Sequence, residues 1–84
     1  MKVTVRYQTQ LRRALGVDSE RVEVAPGCRL TDLLVQLTQR HGEQFRRLSA
    51  AVLCFVGDKQ VMPAQAPPLE EGEVITLLAP MAGG

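Results

Sequence analysis

The sequence is poor in aromatic residues and in the residues that build metal or disulfide sites. It has no tryptophan, one tyrosine and two phenylalanines among 84 residues, so we expect a core made mostly of valine and leucine. One histidine and two cysteines are too few for a zinc site or a disulfide framework. The length predicts one domain with a single modest core.

The sequence also lacks an excess of charge of one sign, since ten basic residues and nine acidic residues give a net charge of +1. A nearly neutral chain is not steered to nucleic acid or to a charged membrane, and we expect neither as a partner. No apolar run is long enough to cross a bilayer, and the opening MKVTVRYQTQ lacks the apolar region of a signal peptide. These absences predict a cytoplasmic protein.

Hydrophobic periodicity predicts the elements of the first half. Alternation in KVTVRYQ and ERVEVAPG predicts two strands, and TQLRRALG, ending at Gly16, predicts a short helix between them. The main helix is predicted by an apolar stripe at i, i+3, i+4 and i+7: Leu30, Leu33, Leu34 and Leu37. Thr31 is its expected N-cap, and His41 is expected to be a solvated residue of its last turn.

The second half predicts a further helical turn and three strands. EQFRRL continues as a short helix, AAVLCFVGD reads as an interior strand, KQVM as a short returning strand and EVITLLA as the last strand. Proline residues exclude a central strand in PAQAPPL. The last strand is apolar on both faces, because Val74 and Leu78 alternate with Ile75 and Leu77. Either a loop or a partner protein covers its second face.

The residues with chemically active side chains point to no active site. Cys28, beside Arg29, is either a reactive thiol or, as we favour, an apolar filler, and Cys54 is expected in the core. The sequence has no glycine-rich phosphate loop and no carboxylate pair near a nucleophile. The acidic residues around Gly72 form either a solvated turn or a patch that steers a partner: Glu70, Glu71 and Glu73.

The order of these elements predicts an α+β protein and resembles the β-grasp, or ubiquitin-like, fold. VRYQTQLRRALG, VEVAPGCRLTDLL and LEEGEVITLLAPMAGG are similar to segments of ubiquitin-like sulfur carriers of the MoaD and ThiS type. The helix in TQLRRALG makes the chain most similar to small subunits of molybdopterin synthase. Two positions depart from the family pattern, with Ala79 where a proline is common and Val56-Gly57 where Asn-Gly is usual.

The resemblance implies a mixed sheet of about five strands with one main helix packed across it. It also implies a β-grasp domain at residues 1–79 and a flexible, extended diglycine tail at residues 80–84. The reactive group would be the C-terminal carboxylate of Gly84. Pro80 would end the last strand, and Met81, Ala82 and Gly83 would enter a channel in a partner protein.

The same resemblance implies the partners. An E1-like adenylating enzyme would use ATP to activate Gly84, and a sulfur donor would convert the adenylate to a thiocarboxylate. The sulfur acceptor would be the large subunit of molybdopterin synthase, in molybdenum cofactor biosynthesis, or another acceptor. The chain itself would bind no cofactor and no metal, and would be the reactant-bearing subunit of a partner enzyme.

Three alternatives stay open at this point. The chain could carry sulfur for another pathway, such as thiamine synthesis, cysteine synthesis or tRNA thiolation. It could be a protein modifier joined to lysines through Gly84. It could also be a β-grasp interaction module whose two terminal glycines have no role, and only this alternative predicts that deletion of Gly84 changes nothing.

Overall fold

Within residues 1–79, which the computed structural model describes, the chain forms a five-stranded mixed sheet and three helices. The strands are β1 (Lys2–Gln8), β2 (Ser19–Glu23), β3 (Leu53–Val56), β4 (Lys59–Val61) and β5 (Val74–Ala79). The helices are α1 (Thr9–Leu15), α2 (Leu30–His41) and α3 (Glu43–Leu48), and 3₁₀ turns lie at Ser49–Ala51 and Pro63–Gln65. The predicted α+β class and the predicted order of elements are confirmed.

The sheet has the strand order β2-β1-β5-β3-β4, so the last strand lies at its centre. β1 and β5 run parallel, and the other neighbouring strands run antiparallel. β3 lies inside the sheet, as predicted, and β4 is a short edge strand. Because β1 and β5 are parallel, their carboxyl ends lie together at one edge of the sheet.

One face of the sheet packs against the helices and forms the core. Tyr7 and Phe45, its largest buried side chains, are 1% and 0% exposed. Most of the other buried residues are aliphatic, as the shortage of aromatic residues predicted: Val3, Val5, Leu11, Val22, Val24, Leu30, Leu33, Leu37, Leu69, Ile75 and Leu77. Each such side chain contributes about 1.5–3 kcal/mol to the free energy of folding when fully buried.

α2 lies across the sheet through the predicted stripe and begins slightly earlier than expected. Its N-cap is Arg29 and not Thr31, so the prediction of Thr31 was wrong. The Arg29 N–H donates to Asp32 Oδ2 at 3.0 Å, and this carboxylate also favours the positive end of the helix. Leu30 is 0% exposed, and its burial draws the chain into helical geometry before Thr31.

A cluster of polar side chains fastens the carboxyl end of α2 to β1 and β2. Glu20 Oε2 accepts hydrogen bonds from Tyr7 Oη at 2.5 Å and from His41 Nε2 at 2.6 Å. Glu20 Oε1 accepts a third from Arg40 Nη1 at 2.7 Å. The expectation of a solvated His41 was therefore wrong, since its side chain is 19% exposed and is tied to a carboxylate 21 residues away.

The cluster moves the pKa values of its two acids in opposite directions. Burial, reinforced by the hydrogen bond to Glu20, raises the pKa of Tyr7 far above its ordinary value. Burial also disfavours ionised Glu20, but the hydrogen bonds from Tyr7, His41 and Arg40 outweigh it and lower the pKa of Glu20. At neutral pH Tyr7 is therefore a donor and Glu20 an acceptor, which matches the observed geometry.

The Glu20 carboxylate is expected to stabilise the fold in a pH-dependent way. Its pKa is lower in the folded chain than in the unfolded chain, so its contribution is complete above the unfolded value of about 4.5 and disappears as the pH falls through the folded value. We expect Glu20→Gln to lower the free energy of unfolding by about 1–3 kcal/mol at pH 7 and by less at about pH 3. Urea denaturation at the two pH values measures this difference.

Glu43→Gln is the matched control, because Glu43 pairs with Arg46 on an exposed helix face. Exposed ion pairs contribute little, so this variant should unfold like the unmodified protein. An equal loss of stability for Glu20→Gln at both pH values would contradict the assigned role of the carboxylate.

Candidate functional site

The predicted reactive tail follows β5, the central strand of the sheet. Ala79, the last residue of β5, is 2% exposed. β5 is hydrogen-bonded to β1 on one side and to β3 on the other. The predicted site residues Pro80, Met81, Ala82, Gly83 and Gly84 lie outside the described residues. The structure thus defines the base of the tail. Ala79 is buried and bridged to Thr9 on the β1 side, and Leu78 before it is paired with both neighbouring strands.

Thr9 contacts this base directly. Its Oγ1 donates a hydrogen bond to the Ala79 carbonyl oxygen at 2.9 Å. The two residues also form a parallel bridge that extends the pairing of β1 with β5 by one residue. Thr9 has φ +50°, in the left-handed region that β-branched residues rarely adopt. Sequence reasoning missed this contact because the partners lie 70 residues apart.

The sheet face opposite the core carries four apolar side chains, here called the outer strip: Leu53, Phe55, Val74 and Leu78. Thr76 lies among them on the same face, opposite Phe55. Leu53 pairs with Leu78, which places their side chains side by side. Leu53 is 36% exposed, and the other three side chains are half-buried. No segment of residues 1–79 buries the strip fully, so the alternative of complete cover by a loop does not hold for the described chain. A partly exposed apolar strip on a sheet is typical of a docking surface.

The acidic turn before β5 is stabilised by its own carboxylates. Glu71 Oε1 accepts from the Lys2 N–H at 3.1 Å, and Glu73 Oε1 accepts from the Glu70 N–H at 2.7 Å. Gly72, at φ +81°, donates its N–H to the Lys2 carbonyl at 2.8 Å. These contacts support the interpretation of the acids as parts of a solvated turn over that of a steering patch.

Both cysteines are free, buried thiols. Cys54 is 1% exposed, and burial raises its pKa to about 11. Cys28 is 8% exposed, and burial together with the charge of Asp32 raises its pKa as well. Because the thiolate is the nucleophilic form, the structure supports Cys28 as an apolar filler and not as a reactive residue.

Two kinds of feature are absent from residues 1–79. No helix in this part of the chain has the length and apolarity needed to cross a membrane. In the same residues, no three side chains of histidine, cysteine, aspartate or glutamate are grouped so that they could hold a metal ion.

The fold and the sequence together define a class of protein. A mixed sheet with parallel β1 and β5 at its centre and α2 across one face is a ubiquitin-like β-grasp architecture, as predicted. The sequence pattern of the ThiS family matches residues 5–84. The chain therefore belongs to the ThiS family and is a sulfur carrier of the ThiS and MoaD type.

Known proteins with similar sequences or structures agree with this placement. The molybdopterin synthase sulfur carrier subunit of Chlamydomonas reinhardtii is 25% identical over 84 residues, which are 100% of each chain. A Pyrococcus furiosus protein assigned as molybdopterin converting factor, subunit 1, has a TM-score of 0.83 at 29% identity, over 96% of this chain and 99% of that one.

Two further solved structures share the fold. In a complex of subunits 1 and 2 of the Helicobacter pylori molybdopterin-converting factor, the matching chain has a TM-score of 0.72 at 23% identity, over 100% of both chains. Small archaeal modifier protein 1 from Methanosarcina acetivorans has a TM-score of 0.79 at 17% identity, over 99% of this chain and 96% of that one. These two likenesses show the architecture alone.

The raised pKa values of the two cysteines predict slow alkylation. At pH 7.5 almost all of Cys28 and Cys54 should be protonated, and burial further restricts access. We expect iodoacetamide to label either thiol at least about 100-fold more slowly in the native protein than in urea, measured by peptide mass spectrometry. Rapid labelling of native Cys28 would contradict its assignment as a filler.

Proposed function

We propose that the chain is the sulfur-carrying small subunit of molybdopterin synthase, and that it carries sulfur as a thiocarboxylate on Gly84. The observation that carries the proposal is the family match over residues 5–84, which spans both the fold and the diglycine. The Chlamydomonas reinhardtii relative bears this function in its name and aligns over 100% of its length. The Pyrococcus furiosus protein, at 29% identity, is assigned as molybdopterin converting factor, subunit 1.

Formation of the thiocarboxylate needs two steps. Partner proteins supply the ATP-binding site for the first step and the sulfur donor for the second. An oxygen of the Gly84 carboxylate attacks the α-phosphorus of ATP on an E1-like enzyme, and pyrophosphate leaves. Hydrosulfide then attacks the carbonyl carbon of the acyl-adenylate, AMP leaves, and the thiocarboxylate forms with release of a proton. With a cysteine persulfide as donor, the product is an acyl disulfide, and a second thiol cleaves its S–S bond to free the thiocarboxylate.

The residue types of the tail suit this chemistry. An α-carboxyl group ionises with a pKa of about 3.5, so it is a nucleophilic anion at neutral pH. Gly83 and Gly84 have no Cβ, which lets a partner's backbone approach closely and leaves the carbonyl carbon open to attack. Pro80 has no N–H to continue the hydrogen bonding of β5.

The outer strip is proposed as the surface on which partners dock. It includes Leu78, one residue before Ala79, so a protein that covers the strip also lies beside the base of the tail. Arg6, which pairs with Thr76 and is exposed, gives the strip a basic margin suited to acidic residues on the partner. Subunits 1 and 2 of the Helicobacter pylori molybdopterin-converting factor form a protein–protein complex, and the large subunit is the partner proposed here.

Attachment to lysines is the second candidate for the same tail. Its support is the shared fold of small archaeal modifier protein 1, at 17% identity. Both functions begin with adenylation of Gly84, and they differ in the nucleophile that displaces AMP. The two are separated by the product, which is a thiocarboxylate in one case and an isopeptide bond in the other.

Loading of Gly84 with sulfur is the first test. We expect incubation with an E1-like adenylating enzyme, ATP and sodium sulfide to exchange one oxygen of the chain for one sulfur at Gly84, as seen by intact-mass and fragment-mass spectrometry. Deletion of Gly84 should abolish the exchange, and Gly84→Ala should slow it about tenfold or more, because a methyl group crowds the reacting carbonyl.

Gly27→Ala is the contrasting control. Gly27 has φ +83°, so this substitution should lower stability by about 1 kcal/mol and leave loading intact. Gly84→Ala should instead leave the thermal melt intact. If the chain with Gly84 deleted were loaded normally, or if the unmodified chain were never loaded, the proposal would be wrong.

Docking through the outer strip has a separate test. Leu53→Glu places a charge on the strip at a position that is already 36% exposed, so the fold should persist. We expect the Kd for the large subunit of molybdopterin synthase to rise at least about tenfold, measured by calorimetry, because the charge would lose its hydration at the interface.

Val35→Glu is the matched control, since Val35 is 58% exposed on α2, across the core from the strip. An equal effect of both variants would refute the docking surface.

A further inference from the structure

Thr9 occupies a backbone conformation that its residue type disfavours. Its φ of +50° makes it the one non-glycine residue of the described chain with a positive φ. A β-branched side chain is disfavoured in this region, and glycine or asparagine would adopt the same conformation more readily. The chain has to turn between β1 and α1, and this accounts for the positive φ at residue 9. It does not account for the presence of threonine there.

Core packing does not explain the choice either. Thr9 is exposed, whereas its neighbours in the pattern of buried residues, Tyr7 and Leu11, are 1% and 0% exposed. The specific contact of the Thr9 side chain is the hydrogen bond from Oγ1 to the Ala79 carbonyl at 2.9 Å. The left-handed backbone of Thr9 thus places its hydroxyl group where it can donate to the Ala79 carbonyl oxygen.

The Ala79 carbonyl has a special place in the chain. It belongs to the peptide group that joins Ala79 to Pro80, and proline contributes no N–H to that group. The carbonyl oxygen is therefore the single hydrogen-bonding atom of the peptide group through which the tail is attached. A donor on this oxygen sets the orientation of the peptide plane at the base of the tail.

We propose that Thr9 is a positioning residue for the reactions of Gly84, beginning with its adenylation, and that it acts through the Ala79 carbonyl to direct the tail into the partner's active site. The inference rests on the proposed function, because it presupposes that Gly84 reacts. The outer strip docks the protein, and Thr9 sets the direction in which the chain leaves β5. A misoriented Ala79–Pro80 peptide group would start the tail away from the partner's active site, which slows the reaction without weakening docking.

The test compares Thr9→Val, Thr9→Ser and Thr9→Gly in ATP–pyrophosphate exchange with an E1-like adenylating enzyme. Thr9→Val keeps the shape and removes the donor, and we expect kcat to fall about tenfold with KM unchanged within about twofold. Thr9→Ser keeps the donor and should restore kcat to within about twofold of the unmodified chain. Thr9→Gly relieves the backbone strain and removes the donor, so it should unfold at an equal or higher temperature and still show a low kcat.

Thr38→Val is the matched control. It removes a hydroxyl that also donates to a backbone carbonyl, that of Leu34 at 2.8 Å, but does so within α2. Its kcat should equal that of the unmodified chain. If Thr9→Val and Thr9→Gly exchanged at the normal rate while the unmodified chain was adenylated, the inference would be overturned and the proposed function would stand.

Other outcomes are also decisive. If kcat fell in the same order as the unfolding temperature across the three Thr9 variants, Thr9 would have only a structural role. That result would overturn the inference. A rise in KM with kcat unchanged would assign Thr9 to docking and not to positioning, which also overturns it. Failure of the unmodified chain to be adenylated would overturn the proposed function and the inference together.

Discussion

The parallel pairing of β1 with β5 is the interaction on which the rest of the structure depends. It joins the first strand of the chain to the last, with Val5 opposite Ile75 and Tyr7 opposite Leu77. All four side chains are at most 1% exposed, so the ladder lies inside the core, where its hydrogen bonds are shielded from water. Because β3 pairs with the other side of β5 as far as Leu78, β5 is held on both sides up to the residue before Ala79.

The other elements follow from this central pair. β1 carries Tyr7, which reaches Glu20 of β2, and the same carboxylate holds the carboxyl end of α2 through His41. The core face of β5 is thereby covered by helices, and its opposite face presents the outer strip. In the proposed function, one face of a single strand stabilises the fold, the other face binds partners and its continuation bears the reacting carboxylate.

Local sequence patterns predicted the elements well because the patterns are themselves local. The leucine stripe of α2, the alternation of β1 and the glycine at the end of α1 each report on neighbours within a few residues. The errors concern contacts over long separations. Nothing near His41 in the sequence signals Glu20, 21 residues away, and nothing near Thr9 signals Ala79, 70 residues away. Thr31 was misjudged for a related reason, since burial of Leu30 in the tertiary core outweighed the intrinsic capping preference of threonine.

The candidate site was predicted mainly from the resemblance to sulfur carriers, and only in part from the physical properties of the residues. The largely apolar second face of β5 was visible because Val74 and Leu78 fall on it, with Thr76 between them, and that inference needed only the period of a strand. The role proposed for Gly84 came from the likeness to sulfur carriers, because a terminal carboxylate has no side-chain pattern that distinguishes it. The role proposed for Thr9 could not be predicted, since a positive φ and a hydrogen bond to a distant carbonyl leave no mark in the sequence.

The central claim is that this fold delivers a sulfur atom carried on its last residue to molybdopterin synthesis. The most direct measurement is a single turnover in which the thiocarboxylated chain is mixed with the large subunit of molybdopterin synthase and its cyclic pterin phosphate substrate. The account predicts that the chain returns to the carboxylate form as sulfur appears in the pterin product, both followed by mass spectrometry. A thiocarboxylate that persists in the complex while the pterin stays free of sulfur would contradict it.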